Sequence, residues 1–135
     1  LAAWWLKGDA LVYLKKRDEM VAHYQAALKL RIMREDLLAE IEHRIAMGYA
    51  SLGDVAAAAD SLAATLARYP KLPMWYKPGV TLRLADYYIQ LKQYDKAEAL
   101  LQQFLATPEL PDWCRKEVDN RMERIRKERP AATQP

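Results

Sequence analysis

The sequence predicts an all-α fold of about seven helices arranged as antiparallel helical hairpins, and three observations carry that prediction. Helix-favouring Ala, Leu, Lys, Glu, Arg and Gln dominate, runs of Val, Ile and Thr are rare, and only 4 of the 135 residues are Gly. Cap and breaker signals recur around 15–18, 34–36, 52–54, 69–79, 92–95 and 107–111, cutting the chain into helix-sized segments. The third observation is an internal repeat. Gly8, Ala46 and Ala85 are small residues, each followed three positions on by a large apolar one, Leu11, Tyr49 and Tyr88.

Each element follows from that register. In every pair the first helix carries the small residue, where two helices cross closely, and the large apolar residue one turn on fills the groove beside the crossing. The second helices present Met20, Tyr24 and Ala27, then Ala58, Leu62 and Thr65, then Ala97, Leu101 and Phe104. An i, i+4, i+7 set of this kind makes one apolar face. Residues 1–111 therefore divide into three repeats, about 1–34, 39–72 and 78–111. Residues 112–129 read as an end helix with Asp112 as N-cap and a narrow stripe of Val118, Met122 and Ile125 among charges, and 130–135 as a disordered tail.

Composition excludes several classes. With 52% hydrophobic and 29% charged residues the chain is neither disordered nor an integral membrane protein. The apolar stretch 45–66 is broken by Gly53 and Asp54 and carries Asp60, so no membrane span is expected. Lys and Arg number 21 against 18 Asp and Glu, a net charge of +3, which implies no nucleic-acid partner. In the end helix bases alternate with Glu117, Asp119, Glu123 and Glu128, the pattern of a solvated, salt-bridged face. The first residue is Leu with no cleavage signal around it, so a longer parent chain is expected. Cys114 is the single cysteine, which suits a reducing cytoplasm and a cysteine-poor periplasm equally.

Nothing nominates catalysis, a cofactor or a metal. Glu40 and His43 have the spacing with which helical bundles aim a carboxylate and an imidazole at one metal, but no second copy exists, and His23 with Glu19 has a different spacing. Cys114 beside Trp113 reads as a small packing residue. Phosphate-binding loops and nucleophile-elbow motifs are missing. The reading is of a non-enzymatic protein.

The repeat resembles the tetratricopeptide repeat family, whose pattern opens on W-x2-L-G-x2-Y and continues with A-x3-F and a closing Pro. Trp4, Trp5, Leu6, Lys7, Gly8, Asp9, Ala10 and Leu11 are similar to its opening. The second copy reads Glu42, Ile45, Ala46, Tyr49, Gly53, Asp54, Ala58, Leu62 and Pro70, and the third Thr81, Leu84, Ala85, Tyr88, Tyr94, Asp95, Ala97, Leu101 and Phe104. Lys7 and Leu11 depart from the pattern, as does Ile32 where the closing Pro belongs. The copies also run four or five residues over the family's usual ~34, which places extra length near 31–38 or 72–78.

The resemblance implies a right-handed superhelix of hairpins whose concave face, built by the first helices, binds a partner protein or peptide. On that face it places Trp5, Asp9 and Tyr13, then His43 and Met47, then Leu82 and Asp86, with Trp5 and Asp86 expected to lie outside the packing between paired helices and Asp86 free to orient a basic group. The lysine, arginine and asparagine clamp that some members use for acidic C-terminal peptides is not present at these positions. A second candidate surface is the loop 69–78 with Trp75 and Tyr76, set against the alternative that Trp75 folds back and packs. Alanine richness and loose copies resemble bacterial members, in cytoplasm or periplasm. Beside a partner-binding module stand two alternatives, a peptide-sensing regulatory domain coupled to an effector and a self-assembly module forming homo-oligomers.

Overall fold

A computed structural model describes residues 2–28 and 35–130. Among the described residues it contains seven α-helices and no strand: α1 (Ala2–Tyr13), α2 (Arg17–Leu28), α3 (Glu35–Ser51), α4 (Val55–Arg68), α5 (Lys77–Gln90), α6 (Tyr94–Leu105) and α7 (Asp112–Glu128). The chain forms two compact units, Leu1–Met74 and Trp75–Pro135. In the first, α1 pairs with α2 and α3 with α4, and α3 also packs against α2 and α1. In the second, α5 pairs with α6, and α7 packs against both.

The second helices bury the faces their spacing marked: Met20, Tyr24 and Ala27 in α2, Ala58, Leu62 and Thr65 in α4, and Ala97, Leu101 and Phe104 in α6. Opposite them Ala46 and Ala85 are fully buried. Gly8 explains the unusual size of Tyr24. A Cβ at Gly8 would collide with the Tyr24 hydroxyl and with the ring carbon that bears it. The glycine lets α1 accept a tyrosine where α4 and α6 carry leucine in the same register. Burying a leucine such as Leu62 or Leu101 contributes about 1.5–3 kcal/mol each.

The three hairpins turn in the same way. Lys15, Gly53 and Lys92 hold one register position, and all three adopt left-handed backbone, with φ of 59°, 89° and 60°. In each turn two bonds return to the preceding helix: Lys15 N–H to Val12 and Lys16 N–H to Leu11; Gly53 to Ala50 and Asp54 to Tyr49; Lys92 to Ile89 and Gln93 to Tyr88, all 2.8–3.0 Å. Orphan C-terminal carbonyls are thereby satisfied by a left-handed cap. Only Gly53 meets that backbone without a side-chain penalty. Asp54 then caps α4, its Oδ1 accepting from Ala57 N–H at 3.0 Å.

Two expectations change, the N-cap of α7 and the place of Trp5. Pro111, not Asp112, is the N-cap of α7, and its carbonyl accepts from Cys114 N–H at 3.0 Å, with Asp112 already in the first turn. Part of the extra length enters a helix: α3 has 17 residues against 12 in α1 and 14 in α5. Residues 31–34 and the tail 131–135 lie outside the described residues. Trp5 is half-buried and packs against the cluster of Met20, Tyr24, Ala27, Ile41 and Ile45, so it belongs to the packing between helices from which it was expected to be absent. Trp4 and Trp5 both lie against the Tyr24 ring, with their own centroids 4.7 Å apart.

Candidate partner-binding surface

In the first unit α1 and α3 border a groove of about 280 Å³ over Tyr24. Asp9, Val12 and Tyr13 line it from α1, and Arg44, Met47 and Ser51 from α3, with Gly48 keeping the floor open. Tyr13 is 86% exposed at the rim. Arg44 organises the floor. Its guanidinium lies 4.4 Å from the Trp5 ring centroid, donates to Glu40 Oε1 at 3.2 Å and pairs with Asp9 Oδ1 at 3.5 Å. The pKa of the Tyr24 hydroxyl is raised, by burial first and by the Asp9 charge second, with Arg44 opposing. That phenol stays protonated at neutral pH.

The second unit repeats the arrangement with different consequences. Asp86, in the register position of Asp9, receives two parallel bonds from Arg121 of α7: Nε to Oδ1 at 2.9 Å and Nη2 to Oδ2 at 3.1 Å. Arg121 also donates to Glu117 Oε2 at 2.7 Å and to the Glu117 carbonyl at 3.1 Å. Burial pulls its pKa down, but bonding and attraction to Asp86 and Glu117 outweigh that, and the net direction is up. A cavity of about 290 Å³ lies here, lined by Gly79, Leu82, Arg83 and Asp86 of α5 and by Trp113, Glu117 and Arg121 of α7.

The two clusters are the same motif. An Asp on one helix meets an Arg 35 residues further on, and that Arg is preceded by a Glu at i−4: Asp9, Glu40, Arg44 and Asp86, Glu117, Arg121. In this register α7 corresponds to α3. Where α3 places Ala46 against its partner helix, α7 places Glu123, exposed and bonded to Arg126 at 2.9 and 2.5 Å. Arg129 ties the end of α7 to α6 through Asp95 at 3.0 Å and Glu98 at 2.8 Å.

The sequence-selected residues are thus distributed as follows. Asp9, Tyr13 and Met47 meet in the first groove, and Trp5 supports it from beneath Arg44. His43 is half-buried on α3 and is not part of that lining. Leu82 is 5% exposed, and both Asp86 oxygens are occupied by Arg121, which corrects the expectation of a carboxylate free to orient a partner's base. Arg121, mostly buried, departs from the solvated face expected for the bases of α7. Trp75 remains 73% exposed, its ring centroid 5.7 Å from that of the half-buried Tyr76.

Other candidates resolve into structure. Cys114 is buried, and burial first, then Glu117, pushes its thiol pKa up, which disfavours the reactive thiolate. His23 Nε2 lies 2.8 Å from the Trp4 carbonyl and its ring stacks on Trp4. Among the described residues no group of three or more His, Cys, Asp or Glu side chains converges to hold a metal. No helix of the described residues is long and apolar enough to cross a membrane. A further cavity of about 300 Å³ lies among α2, α3 and α4, where the buried Glu42 pairs with Arg68.

Hairpins of this type, repeated in register and turned by the same left-handed cap, define a helical-repeat protein. Models of the tetratricopeptide repeat match residues 49–109 and 1–31, together about two thirds of the chain. The chain belongs to the tetratricopeptide repeat family. Such repeats generally mediate protein–protein interaction and are generally non-enzymatic. No curated protein matches the sequence.

Proposed function

We propose that the chain is a non-catalytic interaction module of three repeats and an end helix, and that the α1/α3 groove binds an extended segment of a partner protein. One observation carries this reading: Tyr13 and Met47 flank an open groove whose floor, Arg44, is already held by Trp5, Glu40 and Asp9. Tyrosine supplies contact area at small rotamer cost, and methionine adapts its shape to the side chain it meets. Asp9, 61% exposed at its side chain and only loosely paired, is the acidic group on offer. The segment suited to the groove carries an apolar anchor beside a basic residue. Trp75 and Tyr76 form a separate contact surface on the second unit.

The test is selection of binders from a random peptide library on the immobilised protein, followed by calorimetry. Tyr13→Ala combined with Met47→Ala should weaken the selected peptide about tenfold or more, the scale of losing an interface hot spot. Neither side chain is fully buried, so the melting temperature should stay close to that of the parent. Affinity that survives this pair and falls with Trp75→Ala would move the site to the second unit.

A further inference from the structure

The face of α1 that points away from α2 and α3 is apolar and uncovered. Ala3, Leu6 and Ala10 of α1 and Leu14 in the turn after it follow one another at helical spacing, all four are exposed, and the leucines stand at 67% and 57%. A helix apolar on both sides is ordinarily buried on both. The internal repeat shows what covers such a face. Thirty-eight residues further on, the same register positions of α3 are Ile41, Arg44, Gly48 and Leu52. On α3 that face receives the preceding hairpin. Ile41 shares a cluster with Met20, Tyr24 and Ala27 of α2, Leu52 packs on that cluster, and a Cβ at Gly48 would lie 2.6 Å from Met20 Cε. Ala10, in the Gly48 position, is another small residue where a helix can approach closely.

We infer that this face of α1 is the seat of a further helical hairpin, preceding α1 in the same polypeptide and stacked on it as α1 and α2 stack on α3. A second copy of this chain is the weaker candidate. Four side chains, two of them alanines, fall far short of the ~800 Å² per partner that stable association between separate molecules requires. A tethered hairpin needs much less, because the connection supplies a high effective concentration. Head-to-tail stacking of copies would also set the charged surface of α7, with Glu123, Arg126 and Lys127, on an apolar stripe. An end repeat requires a polar outer face, and α1 does not have one.

The experiment compares the protein beginning at Leu1 with the same protein extended by the ~40 residues encoded immediately before it, the length of one repeat here. The extension should raise the melting temperature by about 3 °C or more and slow amide exchange in α1 about tenfold. Leu6→Glu combined with Leu14→Glu should abolish both gains in the extended protein. In the shorter one the pair should leave the melting temperature within about 1 °C, as exposed positions do. Three results would overturn the inference: no helical hairpin encoded upstream, gains that are absent or survive the double substitution, or a shorter protein that dimerises through these two leucines.

Discussion

Two regions of this molecule carry the same three charged residues and do different things with them. In the first unit Asp9, Glu40 and Arg44 surround a groove that stays open. Asp9 keeps 61% of its side chain exposed, and the Arg44 contact to it is a single one at 3.5 Å. In the second, Asp86 and Glu117 hold Arg121 at 18% side-chain exposure with two short parallel bonds to Asp86. The residue at one matched position also differs. Trp5 offers its ring face to Arg44 and holds the guanidinium by a cation–π contact, whereas the same position in α5 is Leu82, buried. One register motif thus holds its arginine by a ring face and loose ion pairing in one unit and by two parallel carboxylate bonds in the other.

The largest effect that sharpens this contrast concerns the helix crossings both units share. Ala85→Leu should cost on the order of 1–3 kcal/mol, because added methylenes at a fully buried crossing force strain, and urea denaturation measures it directly. Ala46→Leu should cost a similar amount. Next comes the anchor. Asp86→Ala should destabilise by about 1–2 kcal/mol, since it strips a mostly buried arginine of its better partner. Asp9→Ala, at an exposed and loosely paired site, should cost below about 0.5 kcal/mol. Similar losses for the two aspartates would break the comparison.

Smaller effects probe the common turn. Lys92→Gly and Lys15→Gly should each stabilise by about 0.5 kcal/mol, a left-handed backbone being free of side-chain penalty only for glycine, while Gly53→Ala should destabilise by about 1 kcal/mol. A rise in melting temperature for both lysine variants checks the shared geometry. The smallest signal is chemical. The Cys114 thiol should react with a disulfide reagent at least about tenfold more slowly in the native protein than in urea, because burial withholds the thiolate.

Much of the fold was legible because its signals are local. The small residues Gly8, Ala46 and Ala85 and the i, i+4, i+7 faces of α2, α4 and α6 report a helix period and a crossing distance, and the structure buries each of them. The candidate surface was legible only in part. Asp9, Tyr13 and Met47, which the family resemblance puts on one face, line one groove, but the role of Arg121 was not legible, since an arginine in a helix of alternating charges resembles its solvated neighbours. A signal was available: Glu at i−4 and Asp 35 residues back, present at both Arg44 and Arg121. The packing of Trp5 was obscured because it depends on Tyr24, a residue on the next helix.

The most direct test of this account is a pair of double-mutant cycles read by urea denaturation, one with Asp86→Ala and Arg121→Met, the other with Asp9→Ala and Arg44→Met. Coupling energies isolate the pairwise contact from whatever each substitution does alone. The account predicts about 1 kcal/mol or more for the Asp86–Arg121 pair and below about 0.5 kcal/mol for the Asp9–Arg44 pair. Equal couplings, or the stronger one in the first unit, would contradict it.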